Sequence, residues 1–170
     1  MDEVARRLAG GDAAAFAELY DACADRLHHY LAVRLGSRHD ADDVLQETFL
    51  RVARNARRLA AVENLTAYVF QIARNEAARF VGTRPRREEL SADDLFEIAA
   101  DDESREAADT VATGLARLNG DQREVVELKH FAGLTFREIG EVTGVPTQTA
   151  ATRYRAALDR LRDWLARQPT

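Results

Sequence analysis

The sequence predicts an all-α protein of two small helical domains joined by an acidic flexible linker. Three observations carry that expectation. Apolar residues make up 46% of the 170 residues and recur at helical spacing on both sides of the chain's middle. Prolines number only three, and no alternating apolar-polar run lasts long enough to build a sheet. Acidic side chains crowd into residues 81–113, which carry a net charge of −6, against −1 for residues 1–80 and +2 for residues 114–170. The expected boundaries are a helical bundle over 1–81, the linker over 82–113 and a second helical unit over 114–170. The overall charge of −5 argues against a nucleic-acid partner only until that distribution is considered.

The elements follow in order. Phe16, Leu19 and Tyr20 share one helix face, and Leu27, Leu31 and Leu35 continue a stripe near one turn apart. Gly36 and Ser37 mark a stop, and Asp40 caps a new helix with apolar positions Val44, Leu45, Phe49 and Val52. A break near residues 60–64 precedes a helix carrying Leu65, Tyr68, Val69, Ile72 and Ala73, which gives roughly four helices in all. Gly82 and Pro85 interrupt the last of them. From Glu88 to Asp109 acid dominates, and Leu90, Leu95, Phe96 and Ile98 are too sparse for a core, so this stretch holds at most one weak helix. Dense periodicity resumes at Leu115, Leu118, Val125, Val126 and Leu128.

The run TFREIGEVTGVPTQTAATRYRAALDRLR, Thr135 to Arg162, reads as a helix-turn-helix. Thr135 is a sound N-cap with Glu138 at the capping-box position. Ile139 and Val142 face inward, Gly144 supplies the turn, Val145 plugs the interior, and Pro146 and Thr147 open the second helix. Ala150, Tyr154, Ala157, Leu158, Leu161 and Leu165 form its expected buried stripe. The opposite face offers Gln148, Thr149, Thr152, Arg153 and Arg155. Gln and Thr hydrogen-bond base edges, and Arg contacts guanine or phosphate. A plain amphipathic hairpin with a solvated basic face is the alternative.

Far upstream stands a second motif, DADDVLQETFLRVARNARRL, from Asp40 to Leu59. Its acidic side chains read equally as a solvated helix face. No metal site is expected there, because Asp42, Asp43 and Glu47 lack an accompanying His or a Gly-turned loop. Cys23, His28 and His29 have no regular zinc spacing. Catalytic residues and cofactors are not expected either: Ser-His-Asp sets, phosphate-binding glycine loops and paired catalytic acids are all missing from the sequence. As the only cysteine, Cys23 forms no internal disulfide. Apolar stretches fall well short of the ~20 residues of a membrane span. Asp2 and Glu3 spoil a signal-peptide start, so the cytoplasm is expected and a membrane partner is not.

The two motifs in this order resemble the bacterial sigma-70 family. DADDVLQETFLRV looks like its core-polymerase-binding helix, AYVFQIARNEAARF like the helix pair that melts and reads the minus-ten promoter element, and the ending like its minus-35 reader. With only an acidic linker between them, the layout resembles the extracytoplasmic-function (ECF) group over about 150 residues. The resemblance implies that Asp43, Val44, Gln46, Glu47, Phe49 and Arg51 meet the clamp helix of the polymerase's largest subunit. It gives Leu59–Asn64 the role of capturing a flipped base, and sets Asn64, Tyr68, Gln71, Arg74 and Asn75 along the melted minus-ten strand. An aromatic and an amide suit an extruded base, and Arg suits a phosphate. Tyr68 and Phe70 read equally as core residues.

Several positions depart from the family. Tyr68 stands where Trp is usual, Arg79 where an acid is usual, and the following basic run is diluted by Gly82 and Pro85. Ala150 and Thr152 replace a usual Val and Ser. For the linker, the resemblance implies a path through the RNA exit channel, and the plain reading is a solubilising tether. The implied partners are core RNA polymerase, promoter DNA and an anti-sigma factor. Two other readings remain open at this point: a sigma-like decoy that titrates an anti-sigma factor, and a stand-alone helix-turn-helix repressor.

Overall fold

A computed structural model describes residues 3–83 and 105–167, and every element among them is helical. Helix α1, Glu3–Ala9, lays Ala5 and Leu8 against a 3-10 helix, Ala56–Ala61, whose Leu59 is fully buried. Asp12 caps α2, Ala13–Leu35, by accepting from the backbone N–H groups of Ala14 and Ala15. Gly36 ends α2 in the left-handed conformation (φ 67°), donating its N–H to Ala32 O.

The cap of α3, Arg38–Arg54, is Ser37, whose hydroxyl accepts from Asp40 N. The expected cap, Asp40, instead lies buried inside the first turn. Helix α4, Leu65–Thr83, runs through Gly82, so that glycine does not interrupt it. Nothing in the helix interior forbids a glycine, which costs only about 1 kcal/mol there. Leu27, Tyr30, Leu31, Val52, Val69 and Phe70 lie fully buried between α2, α3 and α4.

Next among the described residues comes α5, Arg105–Ala116, which opens inside the acidic stretch, within the expected linker over 82–113. Residues 84–104, where both linker readings fall, lie outside the described residues. Helix α6, Gly120–His130, has a capping box made by Asn119 and Gln122. Helix α7, Phe136–Thr143, has the expected one made by Thr135 and Glu138. Gly144 (φ 74°) closes α7, and α8 follows over Thr147–Leu165. Leu128, Leu134, Ile139, Ala150 and Ala157 fill the interior.

The two domains touch. Helix α4 packs on α7 and α2 on α6, while Arg26 Nε donates across the junction to Ala132 O at 2.8 Å.

Candidate polymerase and nucleic-acid interfaces

Helix α3 sorts the expected polymerase-binding residues by its own periodicity. Val44 and Phe49 are buried, with the Phe49 ring meeting Phe16 edge-on and Tyr20 at a tilt (ring centroids 6.1 and 4.7 Å). Those two residues build the face from below. Asp43 and Gln46 are exposed, whereas Glu47 is half-buried and bridges to Arg51 and Arg54. Arg51 Nε also lies 2.7 Å from Glu76 Oε1 on α4, and Arg79 Nη1 donates to Glu76 Oε2 at 3.0 Å. Arg51 therefore ties α3 to α4 around a nearly buried carboxylate.

Sequence reasoning missed two members of this surface. Leu50 is 42% exposed and Tyr20 43% exposed, and with Gln46, Asp42 and Phe16 they line a shallow groove of about 450 Å³. Tyr20 does not turn inward as its stripe suggests. Leu50 sits one turn beyond Gln46 and two beyond Asp43, so the spacing i, i+3, i+7 held the signal. Large apolar side chains left in water beside polar ones are the composition of a protein-binding face.

Along α4, Asn64, Tyr68, Gln71 and Asn75 recur at one-turn spacing and form one strip. Gln71 and Asn75 are exposed, and Tyr68 is half-buried against the core. Asn64 Oδ1 accepts from Ala67 N and caps the helix, so its carbonyl oxygen is already used. Arg74 leaves the strip. Its guanidinium is held by Glu124 of α6, with Nε to Oε1 at 2.8 Å and Nη2 to Oε2 at 3.0 Å.

In the helix-turn-helix, Gly140 carries a constraint the sequence did not reveal. A Cβ placed there would lie 2.7 Å from Val145 O and 3.3 Å from Thr147 N. Gly140 O also receives the N–H groups of both Gly144 and Val145. This close approach sets the entry angle of α8. Gln148, Thr152 and Arg155 then form one exposed stripe along α8, with Thr149 and Arg153 half-buried beside it. Thr152 Oγ1 donates to Gln148 O, leaving its oxygen free to accept. Arg153 Nη2 pairs with Asp121 Oδ2 at 2.7 Å, which fixes the guanidinium at the edge of the stripe.

The expected buried stripe of α8 is only partly buried. Ala150 and Ala157 are enclosed, but Leu165 is 50% exposed. With Val111, Leu115, Phe131, Leu158 and Leu161 it borders an apolar groove of about 350 Å³ between α5, α6 and α8. Cys23, His28 and His29 do not converge. Cys23 is buried, His28 Nε2 meets Asp42 Oδ1 at 3.1 Å, and the His29 ring faces Phe131.

Among the described residues every element is helical, with a helix-turn-helix at one end and a mixed polar-apolar helix face at the other, the form of a DNA-binding protein with a second helical domain. Family models identify which one. Residues 19–88 match sigma-70 region 2 and residues 114–163 match sigma-70 region 4. The chain belongs to the sigma-70 family, in its ECF group.

Among curated relatives, the ECF RNA polymerase sigma factor SigE of Mycolicibacterium smegmatis is 35% identical over 172 residues, spanning 94% of this chain and 66% of SigE. BldN of Streptomyces coelicolor, also an ECF RNA polymerase sigma factor, is 30% identical over 154 residues, spanning 85% of this chain and 58% of BldN. This chain thus spans less than two thirds of either. Among solved structures, CnrH in complex with the cytosolic domain of CnrY has the same fold, at a TM-score of 0.77 and 22% identity over 98% of this chain and 97% of CnrH. The sigma factor RpoE, in complex with the anti-sigma factor NepR from Bartonella quintana, follows at a TM-score of 0.63 and 19% identity over 90% of this chain and 95% of RpoE.

Proposed function

We propose that the chain is an initiation factor: it binds core RNA polymerase through α3, reads and melts the minus-ten element along α4, and holds the minus-35 element with α8. The observation that carries this reading is the presence, on one chain, of two outward faces of different chemistry. The α3 face joins exposed Leu50 and Tyr20 to Gln46 and Asp43, as a protein contact requires. The α8 face is an uninterrupted stripe of Gln148, Thr152 and Arg155, as a base-reading helix requires. A stand-alone repressor has no use for the first face, and a decoy has none for the second.

The division of labour follows the domains. The N-terminal domain over 1–81 serves the polymerase and the minus-ten element, and the domain over 114–170 serves the minus-35 element, with 82–113 as the connection. Promoter melting draws on the α4 strip, where Tyr68, Gln71 and Asn75 offer an aromatic ring and two amides to extruded bases. Asn64, its carbonyl oxygen on the cap, contributes only its NH₂ group. Bond-making chemistry is left to the polymerase, and the factor acts by binding alone.

The reading places the protein in the cytoplasm with its polymerase. No helix among the described residues is long and apolar enough to cross a membrane. We further propose an anti-sigma factor as a partner. The apolar groove beside exposed Val111 and Leu165 suits an amphipathic helix, and both CnrH and RpoE are solved with a bound protein.

The polymerase contact is tested by titrating labelled core enzyme with the protein and with the pair Gln46→Ala, Leu50→Ala. Both side chains are exposed, so the fold is retained, and affinity falls at least tenfold. Unchanged affinity would remove α3 from the interface.

A further inference from the structure

The junction between the domains holds a dense charge cluster whose two halves come from different domains. Glu124 and Glu127 project from α6 and are almost wholly enclosed, Glu127 completely. Arg74 of α4 grips Glu124 with two parallel hydrogen bonds of 2.8 and 3.0 Å. Arg34, near the end of α2, donates to Glu127 Oε2 at 2.9 Å and reaches Glu124 Oε1 at 3.4 Å. On the C-terminal side Arg123 answers them, donating to Glu127 Oε1 at 2.7 Å. Tyr30 lies fully buried next to the cluster, and burial pushes its phenol pKa up.

Such a cluster is poised between two states. Enclosed carboxylates are tolerable only while paired, and removing one partner of a buried pair is strongly unfavourable. When the domains part, Glu124 loses both arginines but gains water, as do Arg34 and Arg74. Separation therefore replaces one solvation by another, whereas deleting one member in the docked form leaves its partner stranded. Elsewhere the junction includes the packing of α4 on α7 and of α2 on α6, the His29 ring against Phe131, and the bond from Arg26 to Ala132 O.

We infer that this cluster is an autoinhibitory clasp, in which the Glu124 carboxylate occupies the place of a nucleic-acid phosphate on Arg74 and holds the two domains shut. A phosphate presents the same paired oxygens to a guanidinium as a carboxylate does. Of the α4 residues assigned to the minus-ten strand, Arg74 is the one bonded to the other domain; Gln71 and Asn75 stay exposed. The closed protein thus offers a partial strand-binding face, and domain separation completes it. By linkage, a strand that captures Arg74 opens the protein, and an open protein binds the strand more tightly by the same factor. The masking part rests on the minus-ten role proposed above for Arg74, whereas the clasp itself does not.

Energy transfer between dyes at Ala17→Cys and Ala156→Cys, two exposed positions in different domains, reports opening of the full chain. Glu124→Gln keeps the shape and removes the charge, and the open-to-closed ratio rises at least tenfold. Arg74→Gln, made from the opposite side, opens the protein comparably, and the double variant opens it little further, because both remove one interaction. Circular dichroism confirms that helix content is retained. The affinity of Glu124→Gln for a fluorescent twelve-residue oligothymidylate rises severalfold, and Arg74→Gln cancels that gain. Unchanged energy transfer in both single variants would overturn the clasp. Opening without any gain in strand affinity would leave the clasp standing and overturn the role of Arg74 in strand binding.

Discussion

Replacing Gly140 by alanine tests the helix-turn-helix geometry at its tightest point. The new Cβ meets Val145 O at 2.7 Å, about 0.7 Å inside the 3.4 Å at which ordinary van der Waals contact begins. The three nearest atoms are all backbone, from Val145 and Thr147, so the tightest contacts cannot be relieved by a side chain swinging aside. Relief requires the turn to shift, while Gly140 O still has to receive the N–H groups of Gly144 and Val145. Overpacking against backbone, which cannot rotate out of the way, costs about 2–3 kcal/mol, the upper part of the usual range. Alanine recovers about 1 kcal/mol of helix propensity over glycine, so the net loss comes to about 1–2 kcal/mol. With a urea slope of about 2 kcal/mol per molar, the unfolding midpoint followed by circular dichroism falls by about 0.5–1 M. Duplex affinity falls as well, because α8 is re-aimed. A Gly140→Ala protein as stable as its parent, with the same affinity for its minus-35 duplex, would refute the close approach.

Other outcomes follow from single side chains. Arg51→Ala leaves the nearly buried Glu76 with Arg79 as its one remaining cation, which lowers stability by about 1–2 kcal/mol; Glu76→Gln in the same background restores part of it in chemical denaturation. Burial raises the Cys23 thiol pKa, with Arg26 pulling weakly the other way. At pH 8 a thiol reagent therefore labels the native protein far more slowly than the urea-unfolded chain; equal rates would contradict the burial. Asp12 has its carboxyl held below the usual value by its hydrogen bond to Arg7, with the N–H groups of Ala14 and Ala15 adding to the effect. Because the folded pKa is the lower one, its contribution to stability is complete above the unfolded pKa near 4 and disappears as pH falls through the folded value. Asp12→Asn accordingly flattens the acid limb of the stability curve and matters least at the lowest pH.

Local signals made much of this architecture readable in advance. Thr135 with Glu138, and Gly144 after Val142, act within a few residues of themselves, and the structure forms the box and the left-handed turn they announce. Where two local signals compete, sequence alone chooses badly. Ser37 and Asp40 both suit an N-cap, and the left-handed Gly36 decides for Ser37 because the chain reverses immediately before it. Non-local constraints leave no mark at all. Gly140 looks like an ordinary helical glycine until the turn folds back over it. Likewise, helical spacing places Tyr20 and Leu165 on apolar stripes but cannot distinguish a core from a face left open to a partner. Nothing local to Glu124 and Glu127 marks them as buried; the docking of α2 and α4 encloses them as partners of Arg34 and Arg74.

Run-off transcription with purified core RNA polymerase, on fragments of the source genome, tests the central claim most directly. The account predicts discrete start sites that require the protein, weaken with Gln46→Ala plus Leu50→Ala, and disappear with Gln148→Ala plus Arg155→Ala at promoters that depend on the minus-35 element. Duplex binding with neither core binding nor transcripts would contradict it in favour of a repressor, and core binding that never yields a transcript would contradict it in favour of a decoy.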